Sequence, residues 1–355
     1  MAKLRFSISK YLLLFSILSI THIHCDGSSY VEGIPEIPII LEPLFIDSNV
    51  DKPILASPFR ISIDSKRNIY ILDPWDQRIA KFSSTGEFIK YIGRRGEGPG
   101  EFYAALHFAI DNNNETIYVH DAGLRRVSRF TTSGIFINSF MYTGPRASSI
   151  AVKSDGTIAL HQPQLNKPLI YFYNQDGEKI DSIGMTIAVA TEWYPEPTAE
   201  SVAEENAARI MFNENDELIV IYFRKHTVER YSTNGILLME TSIQGEEIEL
   251  LHQKRREHLR QIERRRGSLR GVYSFSYFYG ADLINNEKVA LNIAWQSQTL
   301  YIIDESGDIV KKYRYKPPKP YTTASLNIRD IVVTKDNTFL GIDGDNLVIW
   351  SGVLQ

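Results

Sequence analysis

The sequence predicts an all-β fold, a six-bladed β-propeller, on the strength of three observations. First, residues 59–102 hold four short apolar runs bounded by Asp, Asn, Ser, Gly or Pro, the pattern of hairpin-linked strands. Second, this unit recurs 48 residues later. The matched pairs include Tyr70 and Tyr118, Asp73 and Asp121, Phe82 and Phe130, and Gly86 and Gly134. Third, an apolar pair followed by a polar turn and another apolar run occurs six times along the chain.

A turn glycine follows the third strand in five of the six units. These glycines are Gly86, Gly134, Gly177, Gly235 and Gly307. The chain ends soon after Trp350, so the sixth unit lacks a fourth strand. Residues 37–47 precede the first unit and could supply it. Joining both chain ends in one blade would close the ring and remove an open sheet edge.

Two segments interrupt the repeat. Residues 185–205 are expected to form a long loop with a short helix near 199–208. Residues 246–266 contain no Pro or Gly and carry apolar residues near helical spacing, which predicts a helix inserted between blades four and five. Its apolar stripe would pack on the propeller rim. Its many Lys and Arg residues leave a second interpretation open, contact with an anionic membrane surface.

The first 25 residues have the pattern of an export signal. Lys3, Arg5 and Lys10 precede the apolar run 11–20, which is too short to span a bilayer. The only cysteine, Cys25, follows and resembles the lipidated cysteine of a bacterial lipoprotein, although His24 stands where a small residue is expected. Lipidation and simple cleavage therefore remain alternatives. The expected organisation is a signal peptide over 1–25, a tether over 26–36 and one propeller over 37–355, exported to the periplasm or cell envelope, with or without an anchor at Cys25.

Composition excludes several classes of function. The net charge of -4 argues against nucleic acid as a main partner, because phosphate binding requires a basic excess. A single cysteine rules out an intrachain disulfide and a cysteine metal cluster.

Residues 68–73, 78–82 and Gly86 together resemble the NHL repeat and related bacterial six-bladed β-propeller proteins, and the loop 93–102 is similar to those of the bacterial proteins. The resemblance implies four strands per blade running outward from a central channel. It also implies one face that gathers the turns between second and third strands and the connections between blades. We call this the loop-rich face. Propellers of this type include binding proteins, lyases and hydrolases, so the resemblance implies no single reaction.

The candidate ligand-binding residues are tryptophans and arginines expected on the loop-rich face. Tryptophan offers a large rigid contact surface for sugars or peptides, and arginine can clamp a planar anion. The alternatives are that the tryptophans cover blade ends and that the arginines are solvated turn residues. The candidates are Trp75, Arg94, Arg95, Arg125, Trp193, Arg224 and Trp295.

Aligning the second strands places His120 and His161 at equivalent positions in adjacent blades. With Asn292, Asp73 and Asp121 nearby, they could hold a divalent ion. The alternative is that they are ordinary polar strand-end residues, since the other aligned positions carry no histidine. His107, on an innermost strand, is expected to be a satisfied core histidine.

The sequence therefore favours an exported binding module that takes a protein, peptide or glycan on the loop-rich face. We assign no catalytic residue and no cofactor. The competing hypothesis is a metal-dependent hydrolase or lyase with His120 and His161 at the channel mouth, and a third is a purely structural envelope protein.

Overall fold

The computed structural model describes residues 26–29, 33–46, 54–186, 198–267, 276–285, 287–294, 297–322 and 325–355. Six sheets follow one another along the chain and surround a central channel, which confirms the six-bladed propeller. The predicted signal peptide, Cys25, Trp193 and Trp295 lie outside the described residues.

Three N-terminal strands precede the first complete blade. They are β1 (Asp26–Ser29), β2 (Glu36–Ile40) and β3 (Glu42–Ile46).

The first three blades each consist of four consecutive antiparallel strands. Blade one contains β4 (Arg60–Ile63), β5 (Ile69–Asp73), β6 (Arg78–Phe82) and β7 (Phe88–Ile92). Blade two contains β8 (Ala105–Asp111), β9 (Thr116–Asp121), β10 (Arg126–Thr131) and β11 (Phe136–Met141). Blade three contains β12 (Ser149–Val152), β13 (Ile158–His161), β14 (Ile170–Tyr173) and β15 (Lys179–Ile183).

The last three blades continue the pattern. Blade four contains β16 (Ala208–Phe212), β17 (Leu218–Tyr222), β18 (Thr227–Tyr231) and β19 (Leu237–Ile243). Blade five contains β20 (Phe278–Ile284), β21 (Lys288–Ile293), β22 (Thr299–Ile303) and β23 (Ile309–Lys316). Blade six contains β24 (Ile328–Val333), β25 (Thr338–Asp343) and β26 (Val348–Val353), and β3 completes it.

Burial explains the apolar runs. The second strand of each blade lies between two other strands and two neighbouring blades, so β5, β9 and β17 are buried at every residue. The outermost strands face solvent on one side, and β7 and β15 are mostly exposed. The five turn glycines all have positive φ, between 76° and 91°, which L side chains rarely adopt. The recurring glycine therefore marks the turn between third and fourth strands.

The ring closes as the sequence predicts, but only residues 42–46 of the predicted segment 37–47 form the closing strand. β3 pairs antiparallel with β26, with Phe45 opposite Ile349. The neighbouring N-terminal strands behave differently: β2 adds to blade five in parallel with β23, and β1 adds to blade four in parallel with β19. The segment expected as a tether therefore contains β1 and the start of β2, because the outer edges of these two blades offer unpaired backbone groups that an extended chain can use.

Among the described residues, two α-helices lie in connections between blades. α1 (Ala199–Glu205) joins blades three and four and begins with a capping box at Thr198. α2 (Glu246–Arg266) joins blades four and five and ends at Gly267 in the left-handed conformation. Its bounds agree with the predicted insertion. Ile248, Leu251 and Leu259 are buried, so the apolar stripe packs on the rim of the propeller. None of the helices among the described residues is long and apolar enough to cross a membrane.

β2 offers a test of how much the N-terminal segment stabilises the fold. Ile39 is fully buried in the core around Trp350, whereas Ile40 next to it is 61% exposed. We expect Ile39→Ala to lower the free energy of unfolding by about 2 to 5 kcal/mol, the usual cost of emptying a core site. Ile40→Ala should change it by less than about 0.5 kcal/mol. Urea titration of both variants measures these changes, and equal midpoints would show that β2 does not pack against the core.

Candidate functional site

The innermost strands place six residues at one level of the channel. Each lies directly opposite one of the equivalent second-strand positions Leu72, His120, His161, Ile221, Asn292 and Ile342. We call these six residues the channel ring: Arg60, His107, Ser149, Arg209, Gly280 and Asp330. The repeat that aligns the histidines of the second strands therefore also aligns the polar residues of the innermost strands.

Asp330 is the centre of the channel ring. It is fully buried, and its Oδ1 accepts a hydrogen bond from Nη1 of Arg209 in blade four. Its Oδ2 accepts from the backbone N–H of Ile61 in blade one at 3.1 Å. A Cβ on Gly280, in blade five, would lie 2.6 Å from Asp330 Oδ1, so the absence of a side chain there makes room for the carboxylate. The carboxylate of blade six thus contacts three other blades.

Arg60 is the second buried charge of the ring. Its Nη1 lies 4.0 Å from Asp330 Oδ1 and donates to the Tyr279 carbonyl at 3.4 Å, and its Nε donates to His107 Nδ1 at 3.4 Å. Its guanidinium carbon is 4.3 Å from the centre of the Phe59 ring. Burial lowers the pKa of Arg60 to about 10, which leaves the guanidinium charged at neutral pH.

The channel ring separates two cavities, which both touch Arg60 and His107. The lower cavity, about 420 Å³, opens on the face of the turns between first and second strands. The upper cavity, about 730 Å³, opens on the loop-rich face, and we call it the mouth cavity. Its apolar lining includes Phe59, Leu106, Ala122, Ala147, Ala203, Ala207, Phe223 and Phe278. Its charged lining consists of Arg60, Arg146, Arg224, Arg329, Glu200 and Glu204.

The two inserted helices brace one side of the mouth cavity. Nη2 of Arg255 in α2 lies 2.5 Å from Oε1 of Glu205 in α1. Nη1 of Arg255 donates to the Arg224 carbonyl at 2.9 Å. Since Arg255 is 9% exposed, this contact is largely shielded from solvent, and it ties both helices to a residue that lines the cavity.

Of the predicted ligand-binding residues that the structure describes, Arg224 lines the mouth cavity and four others lie elsewhere on the loop-rich face. Trp75 is 71% exposed in the turn between β5 and β6. Arg94 pairs with Glu101 within its own loop at 2.8 Å, and Arg95 donates to the Trp75 carbonyl. Arg125 occupies a left-handed turn position with φ of 50°.

The predicted metal ligands His120 and His161 are fully buried between blades. His120 Nε2 is 2.8 Å from the Tyr142 hydroxyl, and His161 Nδ1 is 2.5 Å from the Ser148 hydroxyl. Burial lowers the pKa of His120 to about 4 and that of His161 to about 3, so both rings are neutral at pH 7. No group of three or more His, Cys, Asp or Glu side chains suited to a metal ion occurs among the described residues.

The groups expected to assist the histidines are used by the fold. Asp73 accepts from the backbone N–H groups of Ser57 and Trp75, both at 3.0 Å. Asp121 accepts from Tyr103 N–H at 2.7 Å. Asn292 accepts from the Tyr315 hydroxyl at 3.0 Å and donates to the Ile328 carbonyl. Asp73 and Asp121 are therefore turn and blade-linking residues whose carboxylates bind backbone N–H groups.

Sequence reasoning missed Arg60, Arg209 and Asp330. The sequence does contain a signal for them. In the innermost strands, charged residues interrupt apolar runs, as in Phe59-Arg-Ile-Ser62 and Ile328-Arg-Asp-Ile331. His107 was expected in the core, but it faces the channel and is half-buried there.

Residues 51–143 match a family model described as a 6-bladed beta-propeller. The chain is a six-bladed β-propeller. Among curated proteins, none matches the sequence significantly.

Solved structures agree on the fold. A candidate exported protein from Bacteroides fragilis is 13% identical with a TM-score of 0.59, covering 93% of this chain and 98% of that one. Virginiamycin B lyase from Staphylococcus aureus is 11% identical with a TM-score of 0.52, covering 89% and 99%. Hydrazine synthase from Kuenenia stuttgartiensis is 10% identical with a TM-score of 0.53, covering 87% and 99%. At these identities the likeness concerns the fold alone.

Because Gly280 packs closely against Asp330, adding a single methyl group at this position should destabilise the folded protein strongly. A Cβ there would meet Asp330 Oδ1 at 2.6 Å and Asp330 Cα at 2.7 Å. We expect Gly280→Ala to destabilise the protein by more than about 2 kcal/mol, as overpacking of a core does. Gly98→Ala is the control, because its Cβ would meet only the Glu101 side chain, at 3.1 Å. Thermal unfolding measures both, and equal melting temperatures would contradict the close contact.

The buried histidines predict a loss of stability in acid. Each has a folded-state pKa below that of the unfolded chain, so the unfolded state binds more protons as the pH falls from about 6.5 towards 4. At pH 5 each histidine should lower the free energy of unfolding by about 2 kcal/mol relative to pH 7. In His161→Gln, the slope of unfolding free energy against pH should fall by about one proton between pH 4 and 6 and match wild type above pH 7. Unchanged slopes throughout would mean that His161 titrates normally.

Proposed function

We propose that this chain is an exported ligand-binding propeller whose binding site is the mouth cavity. The observation that carries the proposal is a concave, largely apolar space of about 730 Å³ on the loop-rich face, lined by four arginines, with Arg60 and His107 of the channel ring at its floor. Small-ligand sites in proteins occupy about 300 to 1,000 Å³ and combine apolar walls with a few polar groups, which is what this cavity has.

The elements around the cavity support binding because they are held in place. Phe59 and Phe278 lie at the start of innermost strands, Phe223 follows β17, and α1 supplies Ala203. The channel ring fixes the floor through hydrogen bonds that cross between blades. A rigid cavity loses little conformational entropy when a ligand enters, which favours affinity.

Among the expected partners, protein, peptide or glycan, the cavity fits a peptide best. A protein surface would bury a broad flat area. A glycan could stack on the phenylalanine rings, but Leu106 and the four alanines of the lining offer no hydrogen bond to its hydroxyl groups. A peptide can insert one apolar side chain or its end into a space of this size. The proposed site needs no cofactor.

The export part of the proposal rests on the signal pattern of residues 1–25 and places the protein in the periplasm or cell envelope. Anchoring through Cys25 stays an alternative to simple cleavage. For the metal-dependent hydrolase or lyase, no group of three or more suitable ligand side chains occurs among the described residues, and the groups near His120 and His161 are hydrogen-bonded within the fold.

A neutral fluorescent probe tests the site. N-phenyl-1-naphthylamine should bind the full chain with one site per molecule, because the cavity has room for its two aromatic groups. Ala203→Trp places an indole in the cavity and should weaken binding at least tenfold. Ala199→Trp is the matched control, since Ala199 lies on the same helix but is exposed and outside the cavity. Equal binding by both variants, or none by wild type, would refute the mouth cavity as the binding site.

A further inference from the structure

We infer that the mouth cavity selects ligands carrying a carboxylate on an apolar body, and that Arg60 holds the carboxylate at the cavity floor. The inference rests on the proposed function, because it names the chemistry of the ligand for the same site.

The hydrogen-bonding capacity of the Arg60 guanidinium is not fully used. A guanidinium carries five N–H donors in a planar fork. Two of the hydrogen bonds Arg60 makes, to His107 Nδ1 and to the Tyr279 carbonyl, are both 3.4 Å long, beyond the usual range for such bonds. The residue is 7% exposed and lines the mouth cavity, so its guanidinium is largely shielded from bulk water but faces the cavity. A buried guanidinium with long hydrogen bonds can gain a charge-assisted bond from an incoming anion.

The ion pairing in the ring leaves positive charge on the mouth side. Asp330 Oδ1 bonds to Arg209 and lies 4.0 Å from Arg60. One carboxylate thus serves two guanidiniums, and the shorter contact is to Arg209. The other nearby carboxylate, Asp282, lines the lower cavity, where its Oδ2 accepts from Val333 N–H at 2.7 Å. Arg60 is therefore the more weakly paired of the two arginines that share Asp330.

The cavity around Arg60 strengthens attraction for an anion. Arg146, Arg224 and Arg329 line it with Arg60, against Glu200 and Glu204, a formal excess of two positive charges. Arg146 is exposed and has no ion pair among the described residues, whereas Arg329 is paired with Asp345 at 2.9 Å. Apolar walls lower the local dielectric, so an ion pair formed at the floor is screened less than one in water.

The walls require the rest of the ligand to be apolar. The Arg60 guanidinium carbon lies 4.3 Å from the Phe59 ring centre and 5.8 Å from that of Phe223. A carboxylate on the guanidinium would therefore be flanked by aromatic rings, and the chain behind it would pass along Leu106 and the alanines. A single carboxylate matches one guanidinium fork, whereas a phosphate dianion would leave a second charge in apolar surroundings. The C-terminus of a peptide and a free aliphatic acid share this chemistry.

Displacement of N-phenyl-1-naphthylamine from the full chain at pH 7.5 tests the inference with two matched pairs of competitors. Decanoate is compared with decanamide, and the tripeptide N-acetyl-Ala-Phe-Leu with a free C-terminus is compared with its C-terminal amide. We expect the acid to bind at least tenfold tighter than the amide in one or both pairs, as a buried charge-assisted hydrogen bond implies. The pair with the higher affinity identifies the source, a peptide end or a free acid.

Variants assign the effect to Arg60. Arg60→Gln should reduce the preference for the acid to less than about threefold, and Arg60→Lys should retain part of it because the charge remains. Arg94→Gln is the control, since Arg94 is exposed, pairs with Glu101 and lies outside the cavity. If Arg60→Gln fails to fold, Arg60→Lys tests the role of Arg60, and the comparison of acid with amide on the wild-type chain tests the preference for a carboxylate.

The outcomes separate the two proposals. Probe that binds at the mouth and is displaced equally by acids and amides would overturn the carboxylate inference while leaving the binding site intact. An acid preference that Arg60→Gln retains in full would overturn the role of Arg60. Probe binding that Ala203→Trp does not weaken would overturn the proposed function itself.

Discussion

The buried carboxylate of Asp330 is the interaction on which the channel depends. It belongs to blade six, accepts hydrogen bonds from Arg209 of blade four and Ile61 N–H of blade one, and fits against Gly280 of blade five. A buried charge is costly unless it is paired and hydrogen-bonded, so its partners must stay in place. Because these partners come from different blades, the carboxylate couples the positions of blades that are far apart in sequence.

The contacts of Asp330 determine the shape of the cavities on either side of the channel ring. The channel ring divides the central channel into two cavities, and the upper one gains its walls from Phe59, Phe223 and Phe278. Arg60 lies at the floor with hydrogen bonds of 3.4 Å to His107 and the Tyr279 carbonyl, and Asp330 is closer to Arg209 than to Arg60. The inserted helices add a brace, since Arg255 bonds both Glu205 and the Arg224 carbonyl. The proposed carboxylate site lies where the packing of blades leaves one cation weakly paired.

Most of the fold could be predicted from the sequence because its signals are local. Alternating apolar runs and turn glycines depend on strand burial and on backbone conformation, and the bounds of α2 follow from residues 246–266 containing neither Pro nor Gly. The closure by β3 followed from counting strands. The parallel addition of β1 and β2 to blades four and five could not be predicted in this way, since it depends on which sheet edges stay open after the ring has closed.

The same distinction between local signals and long-range packing applies to the candidate site. The sequence by itself determined the number of blades and the equivalence of His120 with His161, since these follow from a repeat and its register. The face on which the loops gather came from the resemblance to known propellers. Only the tertiary structure decided that these histidines are buried and neutral and that Asp73, Asp121 and Asn292 are hydrogen-bonded within the fold. It also decided that Arg60, Arg209 and Asp330 meet at the channel. The physical reason is that charge pairing across a ring depends on distances between blades, which no local pattern in the chain encodes.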